Sequence, residues 1–253
     1  MRRLAHITVG FLALSAGLSG CGSSHPSAPQ TVKQLRLVTS YDLAFTEPSD
    51  LTINDTGTTL WTVTNNPDSV FQLDLVGNHV KSLKYAGQDL EGIAYDRSDQ
   101  TLWVTEENLR QVVHLDLDGN VLKKYPLGLT GEQNSGLEGI CIDTTGHLFV
   151  LNEKRPGLFI TLNDNVAIAT IDTLTFAGDY SGLSYDPPSG AYWIVSDMSK
   201  RLYLWSRTAG IIKEYPLPFS KGEGVAYDPT TNLIYIVSDS EHRLYIYENV
   251  EQN

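Results

Sequence analysis

Hydrophobic and polar positions alternate in short runs between residues 35 and 249, and turn-forming residues separate the runs. Alternation with period two is the pattern of β-strands, and no segment after residue 34 carries a helical period. One phrase opens each group of runs: LEGIAYD (90–96), LEGICID (137–143), YSGLSYD (180–186) and GEGVAYD (222–228), with a weaker copy, PSDLTIND, at 48–55. Leu51, Ile93, Ile140, Leu183 and Val225 then align at spacings of 42, 47, 43 and 42 residues. A steady period in this range marks a repeat architecture in which each repeat is one supersecondary unit.

Each repeat divides into four strands. In the second they are LEGIAYD, TLWVTEE (101–107), QVVHLDL (111–117) and VLKKYPL (121–127), the last two joined by the tight turn Asp118-Gly119. Four antiparallel strands at this period describe a propeller blade, so the chain is read as an all-β, five-bladed β-propeller of four-stranded antiparallel blades. The fifth repeat supplies only three strands before the chain ends, and LRLVTSYDL (35–43) is the natural donor of its outer strand. Such closure pairs strand edges that would otherwise be open. The opening strand of each repeat has one bulky face, as in Ile93 and Tyr95, and one thin face, as in Gly92 and Ala94. A thin face suits an innermost strand crowded against its neighbours near the ring axis.

Charge narrows the partners. The 253 residues hold 18 Lys+Arg against 30 Asp+Glu, a formal net charge of −12, which argues against nucleic acid and anionic lipid head groups. The amino terminus has a basic MRR, an apolar run at 7–18 too short to span a bilayer, and LSGC ending at Cys21. LSGC resembles the lipobox of bacterial lipoproteins, which implies cleavage before Cys21, acylation there (palmitate among the chains) and, with Gly22 following, sorting to the outer membrane. The expected organisation is a signal peptide at 1–20, a flexible Ser/Pro/Gly-rich tether at 21–34 and the propeller at 35–253, anchored to the membrane through Cys21 and monomeric. With Cys21 acylated, Cys141 has no disulfide partner and reads as a small buried strand residue.

Candidate chemistry gathers at one rim. Antiparallel pairing puts the start of each first strand and the end of each second strand on the same side of a blade. Glu91, Glu138 and Glu223 stand at strand starts, with Ser49 and Ser181 in the other two blades. Glu106, Asn152, Asp197 and Asp239 stand at second-strand ends with Asn65, followed by Glu107 and Glu153. Carboxylates with amide oxygens and no soft ligands make a site for a hard cation, Ca2+ above all. The recurring turn acids Asp96, Asp143, Asp186 and Asp228 fall at the opposite rim and are read as turn-capping. The six histidines show no metal-ligand spacing, and there is no nucleophile elbow or dinucleotide loop.

The phrases DLEGIAYD, VTEEN, GLEGICID, NEKRPG, YSGLSYD, GEGVAYD and IYIVSD resemble the SdiA-regulated (YjiK-like) lipoprotein family, itself distantly similar to NHL repeats. The resemblance covers roughly residues 35–249. It implies a five-bladed propeller with a bound calcium, to which Glu91, Glu107, Glu138, Glu153 and Glu223 correspond, while Ser49 and Asp50 depart from the family's LEG phrase. Three functions follow as expectations. The first is a lipid-anchored, calcium-binding module presenting its channel mouth to a small-molecule or protein ligand at the cell envelope. The second is a calcium-dependent lactonase or esterase like the NHL-type propeller enzymes. The third is a purely structural envelope protein.

Overall fold

The computed structural model describes residues 34–252; the expected signal peptide, Cys21 and the expected tether up to residue 33 lie outside the described residues. These residues form five four-stranded antiparallel sheets. From inside outward, the first blade is Pro48–Ile53, Thr59–Asn65, Asp68–Asp74 and His79–Ser82. The second is Leu90–Asp96, Thr101–Glu106, Gln111–Leu115 and Val121–Pro126. The third is Leu137–Ile142, Leu148–Asn152, Gly157–Leu162 and Ile168–Leu174, and the fourth Leu183–Asp186, Ala191–Ser196, Arg201–Ser206 and Gly210–Pro216. The fifth is Gly222–Asp228, Leu233–Ser238 and Arg243–Gln252, completed by Gln34–Asp42 as its outer strand.

The hydrophobic core is divided among the interfaces between neighbouring blades. One cluster joins Trp61 and Val63 to Ile93 and Leu102, another joins Trp193 and Val195 to Val225 and Ile236. The cluster that closes the ring packs Leu51, Leu60 and Leu73 against Tyr235, Val237 and Leu244 of the last blade. Each sheet is thus covered on both faces by its neighbours, which is why the second strands are apolar on both sides.

The thin faces of the inner strands sit where these sheets meet. A Cβ on Gly92 would overlap the Glu138 carbonyl oxygen, and one on Gly182 would overlap that of Glu223. Glycine is therefore demanded by approach of the next blade's backbone. The turn acids behave as expected: Asp96, Asp143 and Asp228 accept from the backbone N–H two residues on, at 2.8–2.9 Å. One boundary differs, because YSGLSYD is strand only from Leu183 onward. Ser181 and Gly182 instead bond the second strand irregularly, Val195 N donating to the Gly182 carbonyl at 3.1 Å.

Candidate metal centre

Four inner strands begin with a break in register. The irregularity falls at Ser49 in the first blade, Glu91 in the second, Glu138-Gly139 in the third and Glu223-Gly224 in the fifth. A bulge re-aims the extra residue's side chain, and here Glu91, Glu138 and Glu223 are delivered to one mouth of the central channel. They line a cavity of about 650 Å3 together with Glu107, Glu153, Asp197, Asp239, Asn65, Ser49 and Ser181.

Two expected members point elsewhere. Glu106 is 1% exposed and accepts from Tyr85 Oη at 2.8 Å, Gln88 N at 2.9 Å and Gln111 Nε2. Asn152 accepts from Arg110 Nη1 at 2.9 Å and donates to the Pro156 carbonyl at 2.9 Å. Their sequence neighbours Glu107 and Glu153 face the mouth instead, because successive residues leave a strand on opposite sides.

The structure adds residues that the rim alignment omits. Asp89 and Asp179 each lie two positions before a strand-start residue, Glu91 and Ser181, and both line the mouth. Continuing the period-two reading backward from the strand start would have found them. The same offset in the fifth blade gives Lys221, whose Nζ lies 3.6 Å from Glu223 Oε1 and 4.0 Å from Asp197 Oδ2. Lys154 pairs with Glu153. The mouth is therefore acidic with two basic side chains set into it.

Within it the carboxylates form two overlapping triads. Oxygens of Glu107, Glu138 and Glu153 lie within 4.8 Å of one another, as do those of Asp89, Glu91 and Glu107. Glu107 Oε1 accepts from Gly136 N at 2.8 Å, and Glu91 Oε1 from Asn65 Nδ2 at 2.8 Å. Glu138, at 8% exposure, is the exception: its carboxyl makes no hydrogen bond among the described residues, while burial and the charges of Glu91, Glu153, Glu223 and Glu107 push its pKa well up. Burial likewise raises Glu91 to about 8 despite the bond from Asn65, and Glu223 to about 7 despite Lys221. Burial, with Asp89 alongside, raises Glu107.

The donor set suits calcium. Calcium–oxygen distances of about 2.3–2.6 Å put two ligands of one ion no more than about 5 Å apart, which each triad satisfies. All the candidate ligands are hard oxygens, and no histidine or cysteine lines the cavity.

Below the acids, Asp50 stands in the channel at the position where the other blades have Gly92, Gly139, Gly182 and Gly224. It is fully buried, its Oδ2 accepts from Ile93 N at 3.1 Å, and its Oδ1 has no hydrogen-bond partner. Burial raises its pKa well above the ordinary carboxylate value, against the hydrogen bond from Ile93. Ser49 lines the acidic mouth while Leu51 lines a second cavity at the other end, so Asp50 marks the division between them.

The profile of the SdiA-regulated family matches residues 38–248. No curated protein matches the chain significantly in sequence. Among solved structures, Myxococcus xanthus glutaminyl cyclase is similar with a TM-score of 0.69 at 12% identity, covering 87% of this chain and 98% of that one. A Xanthomonas campestris gluconolactonase gives 0.57 at 13% identity, over 89% and 99%. Staphylococcus aureus virginiamycin B lyase gives 0.53 at 12% identity, over 86% and 100%. At such identities the likeness is one of fold.

Proposed function

The chain belongs to the SdiA-regulated family, and from that premise we propose that it is a membrane-tethered propeller that binds Ca2+ at its acidic mouth and offers that mouth to a small-molecule or protein ligand at the bacterial cell envelope. The observation that carries the reading is Glu138, a buried carboxyl with no hydrogen bond and four carboxylates around it. A buried charge without a partner is costly, and a divalent cation held by Glu107, Glu138 and Glu153 would supply that partner. When bound, calcium would neutralise the cluster and leave coordination positions open for an oxygen-bearing ligand.

A cation that binds only the folded ring stabilises it by about 2.7 kcal/mol at a hundred times its dissociation constant. Millimolar Ca2+ should therefore raise the melting temperature of EDTA-treated protein, and Mg2+ should do less, since it demands a tighter octahedron. Glu138→Gln keeps the shape of the side chain and removes its charge, so it should leave the fold intact and weaken the calcium response. An unchanged response in that variant would remove Glu138 from the site.

The tether rests on LSGC and Cys21. Wild-type protein should fractionate with membranes, since two or more acyl chains anchor stably, and Cys21→Ser should leave the protein soluble or uncleaved. Mature wild-type protein found free of lipid would contradict the anchor.

A catalytic reading is favoured by the placement of Glu91 and Glu223, buried carboxyls whose burial raises their pKa toward neutrality, beside a candidate Lewis-acid site. Turnover of lactones or aryl esters that is lost with EDTA would establish it. Calcium binding without turnover leaves the binding module.

A further inference from the structure

The second cavity lies at the opposite end of the channel and has a volume of about 370 Å3. Its walls are made by residues of both faces of the inner strands. Leu51, Ile140 and Leu183 are each 1% exposed, and Tyr95, Tyr185 and Tyr227 come from three different blades. Two of these tyrosines have partners for their hydroxyls. Tyr227 Oη donates to Asn232 Oδ1 at 3.0 Å, and Tyr95 bonds Asp55. Tyr185 touches Tyr192 through its ring, and its hydroxyl makes no hydrogen bond among the described residues. An apolar concavity of this size with a few polar side chains in its lining, Thr52 and Ser184 among them, has the make-up of a small-molecule site.

Charge fixes the class of occupant. The interior holds no charged side chain. At the rim stand the carboxylates of Asp96 and Asp143, each tied into its own turn, against the single guanidinium of Arg97. An anionic ligand would lose its hydration and meet a net negative rim, and a cationic one would lose its hydration with no counter-charge inside. The volume lies at the small end of ligand sites, enough for a molecule of up to about three rings.

We propose that this cavity is a second binding site, separate from the acidic mouth, for an uncharged, mainly apolar small molecule carrying one hydrogen-bonding group. The site does not depend on calcium, because the Asp50 level lies between the two cavities.

Fluorescence titration of the full-length protein with N-phenylnaphthylamine, a neutral amine with three aromatic rings, tests the proposal against the anionic anilinonaphthalene sulfonate, which has the same ring skeleton. Saturable one-to-one binding of the neutral probe is expected, equal in EDTA and in calcium, with the sulfonate weaker by about tenfold or more, a difference of roughly 1.4 kcal/mol. Thr144→Trp and, separately, Ser98→Trp place an indole at exposed rim positions and should each weaken the neutral probe while leaving the melting temperature and the calcium response unchanged. Non-saturable binding, equal affinity for the two probes, or affinity unaffected by both variants would overturn the site. A calcium dependence of probe binding would overturn the separation.

Discussion

Deletion of residues 34–43 is expected to abolish the monomeric fold, giving aggregation or a large fall in melting temperature. Those residues are the outer strand of the last blade, paired along Arg243–Gln252 from Asp42↔Arg243 to Gln34↔Gln252. The lost strand would expose the N–H and C=O groups of RLYIYENVEQ along a strand whose residues Leu244, Ile246 and Tyr247 are buried. An apolar open edge of this kind templates association with another chain. Two anchors would go as well: Leu35, which packs in the cluster of the fourth and fifth blades, and Leu43, which packs beside Leu244 and accompanies a 2.8 Å bond from Leu43 N to the His242 carbonyl. The Arg243–Asp42 pair contributes less because both side chains are solvent-exposed. A truncated protein that stayed monomeric with an unchanged melting temperature would refute the closure.

The fold was legible because its signal is repeated. Each copy of the inner-strand phrase carries its own alternation, and a glycine or small residue marks the side on which the next blade approaches. The site was only partly legible, for a reason visible in Glu106 and Glu107. Adjacent acids at a strand end leave on opposite sides, and which side faces the mouth depends on the register break at the inner strand. That break is set by backbone geometry and has no residue type of its own. The same uncertainty separated Asn152 from Glu153. Asp89 and Asp179 escaped because they precede the phrase, although their offset from Glu91 and Ser181 is the strand period. Asp50 could be seen to break the LEG phrase, but only the ring shows that its carboxyl stands at the level between two cavities.

The calcium-free protein should lose stability as pH rises. In the folded ring Glu91 keeps its proton up to about 8 and Glu223 up to about 7, whereas the ordinary glutamate value is 4.5. The folded state therefore binds more protons than the unfolded chain between about 4.5 and 8. Stability from these groups is full below the unfolded value and drains away as pH climbs through the folded ones. Each pKa unit is worth about 1.4 kcal/mol, so the loss summed over the two groups across the whole range has an upper bound of about 8 kcal/mol. Glu138 and Glu107, raised in the same direction, deepen it. Denaturant melts in EDTA at pH 5 and pH 8 measure the difference, and calcium should shrink it by taking the place of the protons. A calcium-free protein equally stable at both values would mean that the cluster is not held protonated by the fold.

Calcium binding itself is most directly measured by calorimetric titration of CaCl2 into EDTA-treated, re-dialysed wild-type protein at neutral pH. The expected result is saturable binding accompanied by proton release, with affinity reduced in Glu138→Gln. No saturable heat in any buffer, together with no calcium retained after dialysis, would contradict a metal centre at the acidic mouth.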